Sequence, residues 1–158
     1  MGSSYTEFRD KGFWSCDGLL EVWLRLLSLH LKGDVYTPGW QHDLRDRWLC
    51  ISGVGISGCI HAALDEFLTD EERIGIVLEA SDHCAKKLRA FGKSIPAATL
   101  NLLGLEDLFT EDISVAWVEL IADRFSTLLR GELTTDAKTS PVLPFTRHGQ
   151  TWDELRKQ

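Results

Sequence analysis

Three groups of residues in this chain have the identities and separations of phosphate-, metal- or nucleophile-bearing sites, and a fourth could bind a partner. Gly53-Val54-Gly55-Ile56-Ser57-Gly58 places glycines at the spacing of a dinucleotide fingerprint, in which backbone amides cradle a pyrophosphate at a helix start. That chemistry needs a strand before the glycines, which Trp48-Leu49-Cys50-Ile51 could form. It also needs a second strand over Arg73 to Ala80, carrying Glu79 to the ribose hydroxyls. Ser57 is followed directly by Gly58, so the G-x-S-x-G elbow of an esterase is not formed. Cys59, His61, His83 and Cys84 are metal-ligating types, yet helical neighbours two apart point about 200° away from each other and adjacent ones diverge too. No metal site and no cofactor are expected. His30 reads as a hydrogen-bonded interior residue, and no cysteine has a visible partner that would activate its thiol.

The fourth group is acidic. Residues 62–123 hold thirteen carboxylates against five basic side chains, a balance of minus eight in a chain whose net charge is −7. Asp65, Glu66, Asp70, Glu71, Glu72, Glu106, Asp107, Glu111 and Asp112 gather at expected helix starts and the loops before them. The helix dipole stabilises negative charge there, and the same charge suits a docking face for a basic partner. It repels a phosphate backbone, so nucleic acid is not an expected partner.

The elements that would position these groups read as helices. Asp17 to Leu31 is expected to be a central helix capped by Ser15 or Asp17, apolar around most of its circumference, with Glu21, Arg25, Ser28 and Lys32 on one narrow polar stripe. Gly33 ends it, and Thr37-Pro38 opens a helix to about Cys50 that buries Trp40, Leu44 and Trp48. A helix from about Gly58 to Leu68 follows. Thr69-Asp70-Glu71-Glu72 is a capping box, and Ile74, Val77, Leu78, Ser81, Ala85, Leu88 and Phe91 recur at helical intervals to Gly92. That continuous helix removes the second strand the glycine segment would need. Pro96 opens a short helix closed by Gly104, and a last long one carries Ile113, Trp117, Leu120, Ile121, Phe125 and Leu128 inward before Gly131.

The resulting expectation is an all-α fold, a single-domain bundle of about five to six helices around a Leu/Trp-rich central helix. Residues 1–14 are a lead-in, 15–131 the helical domain, and 132–158 an irregular surface-laid tail with a short terminal helix after the Thr151-x-x-Glu154 capping box. Six tryptophans and 44% hydrophobic residues favour a folded chain over a disordered one. The four scattered cysteines read as free, buried thiols of a reducing cytosol, and the polar N-terminus lacks an export signal. The longest uncharged run, residues 49–64, is too short for a membrane span.

The order GFWSCDGLLEVWLRLL, LRDRWLCISGVGISGCIHAALDEFL, TDEERIGIVLEASDHCAKKL resembles the small acidic helical immunity proteins with which bacteria neutralise secreted toxins. The resemblance is one of type across residues 7 to 130, and it implies a cytoplasmic, non-catalytic inhibitor. Such a protein occupies the active site or groove of one basic toxin with carboxylates and a few aromatic anchors. The alternatives are a small enzyme or ligand-binding domain using Gly53 to Gly58, with Ser57, His61 or Cys59 near a pocket, and a homo-oligomeric helical scaffold.

Overall fold

Ser3–Phe8 (β1) and Lys11–Cys16 (β2) pair antiparallel along their whole length, so the expected all-α architecture gives way to a mixed α/β fold. The computed structural model describes residues 2–31, 38–54, 58–105 and 107–143. Among them six helices and five strands follow in the order β1, β2, α1 (Asp17–His30), α2 (Gly39–Ile51), α3 (Leu64–Phe67), α4 (Glu71–Leu88), β3 (Ser94–Ile95), α5 (Ala97–Asn101), β4 (Ile113–Ser114), α6 (Val115–Leu129) and β5 (Val142–Leu143).

The hairpin turns through Arg9 and Asp10, both at positive φ (50° and 64°), as a two-residue turn of the primed type demands. Ser4, Thr6 and Phe8 on one strand and Phe13 and Ser15 on the other point inward, while Tyr5 and Trp14 stack on the outer face with ring centroids 5.3 Å apart. β5 adds to β2 in parallel through Trp14↔Val142 and Ser15↔Leu143. Residues 132–143 of the expected surface tail are therefore partly internal, with Leu133 and Leu143 buried. The expected terminal helix at Thr151 lies outside the described residues.

Helix α1 packs against α2, α4, α6 and β2, as its wide apolar surface predicts. Its Trp23 meets Phe125 of α6 edge to face at 6.0 Å, and Trp48 of α2 meets the same ring at 6.1 Å. Three members of the polar stripe of α1 do not face open water, and the fourth, Lys32, lies outside the described residues. Glu21 and Ser28 are buried, and half-buried Arg25 donates from Nη2 to Gly104 O at 2.9 Å, while Leu29 is exposed instead. The N-cap is Cys16, which makes no side-chain cap bond, rather than Ser15 or Asp17, and the Asp17 carboxylate is used elsewhere.

Helices α4 and α6 run antiparallel: Arg89–Glu119, Ser81–Ser126 and Asp82–Arg130 are matched in opposite chain directions. The cap of α4 is Asp70, whose carboxylate accepts Arg73 N–H at 2.9 Å, rather than Thr69. The helix expected from Gly58 shrinks to the single turn of α3. Gly58 N–H donates to Asp17 Oδ2 (2.7 Å), Ile60 N–H donates to Ser4 Oγ (2.9 Å), and Trp48 Nε1–H donates to Ala62 O (2.9 Å). With its backbone committed to these partners, residues 58–63 cannot coil, and Ala63 enters α3 at φ 54°.

Candidate protein-binding surface

The carboxylates singled out from the sequence fall into two groups at opposite ends of the α4–α6 pair. Asp65, Glu66, Asp70, Glu71 and Glu72 surround the start of α4, beside the hairpin turn. Asp107, Glu111 and Asp112 lie on the α5–β4 connection, which leads into the start of α6 and so sits near the end of α4. Since α4 has 18 residues, roughly 27 Å of helix separates the two groups. Glu106 lies outside the described residues.

Much of the first group is occupied by the protein itself. Asp65 Oδ1 accepts Arg9 N–H at 3.0 Å, Glu71 pairs with the Arg9 guanidinium at 3.1 Å, and Asp70 caps α4. The cap amide of Arg73 holds the Asp70 carboxyl below the usual range. Glu66 and Glu72 are exposed and unpaired among the described residues. In the second group Asp112 is occupied, accepting Ala97 N–H at 3.0 Å and Ser94 Oγ–H at 3.4 Å. Asp107 and Glu111 stand exposed and unpaired among the described residues.

The α5–β4 connection has a second property that acidity alone does not reveal. Leu102 is 86% exposed and Leu108 77%, well beyond any other large apolar side chain among the described residues. The loop carrying them is braced at its base. The Asn101 amide donates to Phe109 O (3.1 Å) and accepts Phe109 N–H (2.8 Å), and Arg25 holds Gly104 from beneath. Leu103, Leu105 and Phe109 pack against the core, so the loop turns three of its apolar side chains in and two out. Sequence reading missed these leucines, because exposure of an apolar residue in a loop depends on which neighbours the fold turns inward.

The residues considered for catalysis or cofactors are not brought together. Leu49, Cys50 and Ile51 are the last turn of α2 rather than a strand, and Arg73 to Ala80 is helical, so the glycines lack the sheet of a dinucleotide site. Gly55, Ile56 and Ser57 lie outside the described residues. Cys50 and Cys59 are exposed, contrary to the expected burial, and Cys84 is buried, which pushes its thiol up to about 12. His61 is exposed, and among the described residues no three metal-ligating side chains converge. His30 is hydrogen-bonded as expected, through Nδ1 to Leu26 O at 2.7 Å, and its ring lies 5.9 Å from that of His83 across a small cleft floored by Ala80. Between α4 and α6 a groove presents Asp82, Lys86, Arg89, Asp123 and Arg130, its charges largely satisfied by the Arg89–Glu119 and Arg130–Asp82 pairs.

No protein-family model matches the chain, and no curated protein or solved structure does either. Among the described residues no helix is long and apolar enough to cross a membrane.

Proposed function

We propose that this protein is a non-catalytic cytoplasmic inhibitor of the immunity type, which binds one basic toxin through carboxylates on its surface. The observation that carries the reading is that, of the nine carboxylates singled out from the sequence, Glu66, Glu72, Asp107 and Glu111 are exposed and without an internal partner among the described residues, in a stretch whose charge is strongly negative. Carboxylates that cap helices or pair with Arg9 have structural work, and these four do not. Unpaired surface acids raise the rate of encounter with a positively charged partner and repel anionic ones. Isothermal titration against the toxin encoded beside the gene tests it: saturable binding with loss of toxin activity is expected, and absence of binding to every neighbouring product would overturn it.

A further inference from the structure

We infer that the α5–β4 loop is a docking surface for a basic, amphipathic segment of a protein partner, anchored on Leu102 and Leu108 and rimmed by Asp107 and Glu111. The inference rests on the partner-binding reading above and goes further, assigning contact to one end of the molecule and giving it an apolar centre. Leu102 and Leu108, 86% and 77% exposed on one loop, are the two most exposed large apolar side chains among the described residues, and exposed apolar surface rimmed by polar groups marks interaction sites when it is contiguous. They are presented in a fixed arrangement. The reciprocal Asn101–Phe109 hydrogen bonds place Leu102 and Leu108 across the base of the loop from each other, and Arg25 holds the loop at Gly104. The base of the loop is therefore already ordered when a partner arrives.

Charge selects the occupant. Residues 94–118 contain four carboxylates and no lysine or arginine, and Asp107 and Glu111 have no internal bond among the described residues. A second copy of this chain, with net charge −7, would be repelled at that rim, as would an anionic lipid surface or a nucleic acid. A segment that alternates leucine-like and lysine- or arginine-like side chains satisfies both the apolar centre and the acidic edge.

The test is a ¹⁵N-resolved NMR titration of the full chain with two synthetic helical peptides of equal length, one of Lys and Leu and one of Glu and Leu. The Lys/Leu peptide is expected to shift the amides of residues 101–109 in a saturable way, and the Glu/Leu peptide to leave them unmoved. The double variant Leu102→Ser/Leu108→Ser should bind the Lys/Leu peptide roughly tenfold or more weakly with an otherwise native spectrum. Glu132→Lys, an exposed acid just beyond the end of α6 and so at the opposite end of that helix from the loop, should change affinity by no more than about threefold. Shifts that map elsewhere, an equal response to both peptides, or unchanged affinity in the leucine variant would each overturn the docking surface. The toxin titration separates the two readings. Peptide docking without any toxin binding removes the inhibitor function and keeps the surface, whereas toxin binding undiminished by the leucine changes removes the surface and keeps the function.

Discussion

Replacing Asp17 by alanine should destabilise the protein by about 2–4 kcal/mol, a large share of the roughly 5–15 kcal/mol that holds a domain folded. The carboxylate is 6% exposed and joins three separate parts of the chain, accepting Ser4 Oγ–H at 2.6 Å and Gly58 N–H at 2.7 Å from the first turn of α1. Ser4, 2% exposed, relays the network by accepting Ile60 N–H at 2.9 Å. Without Asp17 the Ser4 hydroxyl has no acceptor and no access to water, a desolvation cost of about 1–3 kcal/mol. Gly58 is exposed, so its amide recovers a water and loses only about 1 kcal/mol. Asp17→Asn keeps an oxygen for one of the two donors and should fall between wild type and alanine. Ser4→Ala breaks the same relay from the other side, so the double variant should lose at least about 1 kcal/mol less than the sum of the single losses. Urea unfolding followed by tryptophan fluorescence measures the wild type and all four variants. A loss below about 1 kcal/mol for Asp17→Ala, or strictly additive single changes, would mean that the carboxylate does not hold Ser4 and Gly58 together.

Three further outcomes can be checked directly. Alkylation of the folded protein at pH 8 should modify Cys50 and Cys59 promptly and leave Cys84 untouched until unfolding, since burial holds that thiol at about 12; peptide mass mapping decides, and equal rates would contradict the burial. The Asp70 carboxyl sits lower in the folded protein than its unfolded value of about 3.9, so its stabilisation is complete above that value and vanishes as pH falls through the folded one. Asp70→Ala should therefore lower the melting midpoint clearly at pH 6 and by progressively less as pH falls below about 3.9; a deficit of constant size across that range would deny the cap its charge. Gly12→Ala places a Cβ 2.2 Å from Thr6 O and 2.7 Å from the Tyr5 ring, so the hairpin must shift; circular dichroism should show a large drop in melting temperature, and a wild-type midpoint would exclude the close approach.

The long helices were legible because each carries a dense apolar stripe at helical period and a recognisable start or stop. Expected limits of Asp17 to Leu31, Pro38 to Cys50 and Asp70 to Phe91 compare with the observed Asp17–His30, Gly39–Ile51 and Glu71–Leu88, the last continued by a 3-10 turn, Arg89–Phe91. The hairpin was illegible for a physical reason. Its inward face is built from Ser4, Thr6 and Ser15 beside Phe8 and Phe13, while the aromatic Tyr5 and Trp14 lie outside, so apolar alternation is inverted over half of it. Its turn uses Arg9-Asp10 where Asn-Gly or Asp-Gly would have announced left-handed residues. β3, β4 and β5 are two residues each, too short for any period to show. The acidic positions were readable one by one, but their division between two ends follows from the antiparallel course of α4 and α6, which no local pattern encodes.

That division separates the two contributions to association that a single acidic face would merge. Exposed charge acts on encounter over about 8–10 Å at physiological salt, whereas apolar anchors act only in contact and govern how long the complex lasts. Glu66 and Glu72, roughly 27 Å of helix away from the leucine loop, lie several screening lengths from a partner docked there. Reversing them should slow association with the toxin a few-fold at low ionic strength and flatten its salt dependence, with dissociation unchanged. Leu102→Ser/Leu108→Ser should do the opposite, speeding dissociation roughly tenfold or more and leaving the salt dependence of association as it was. Stopped-flow mixing over a salt series reads both rates. If the charge reversals at the start of α4 accelerated dissociation as much as the leucine changes do, the partner would be touching both ends, and contact could not be confined to the α5–β4 loop.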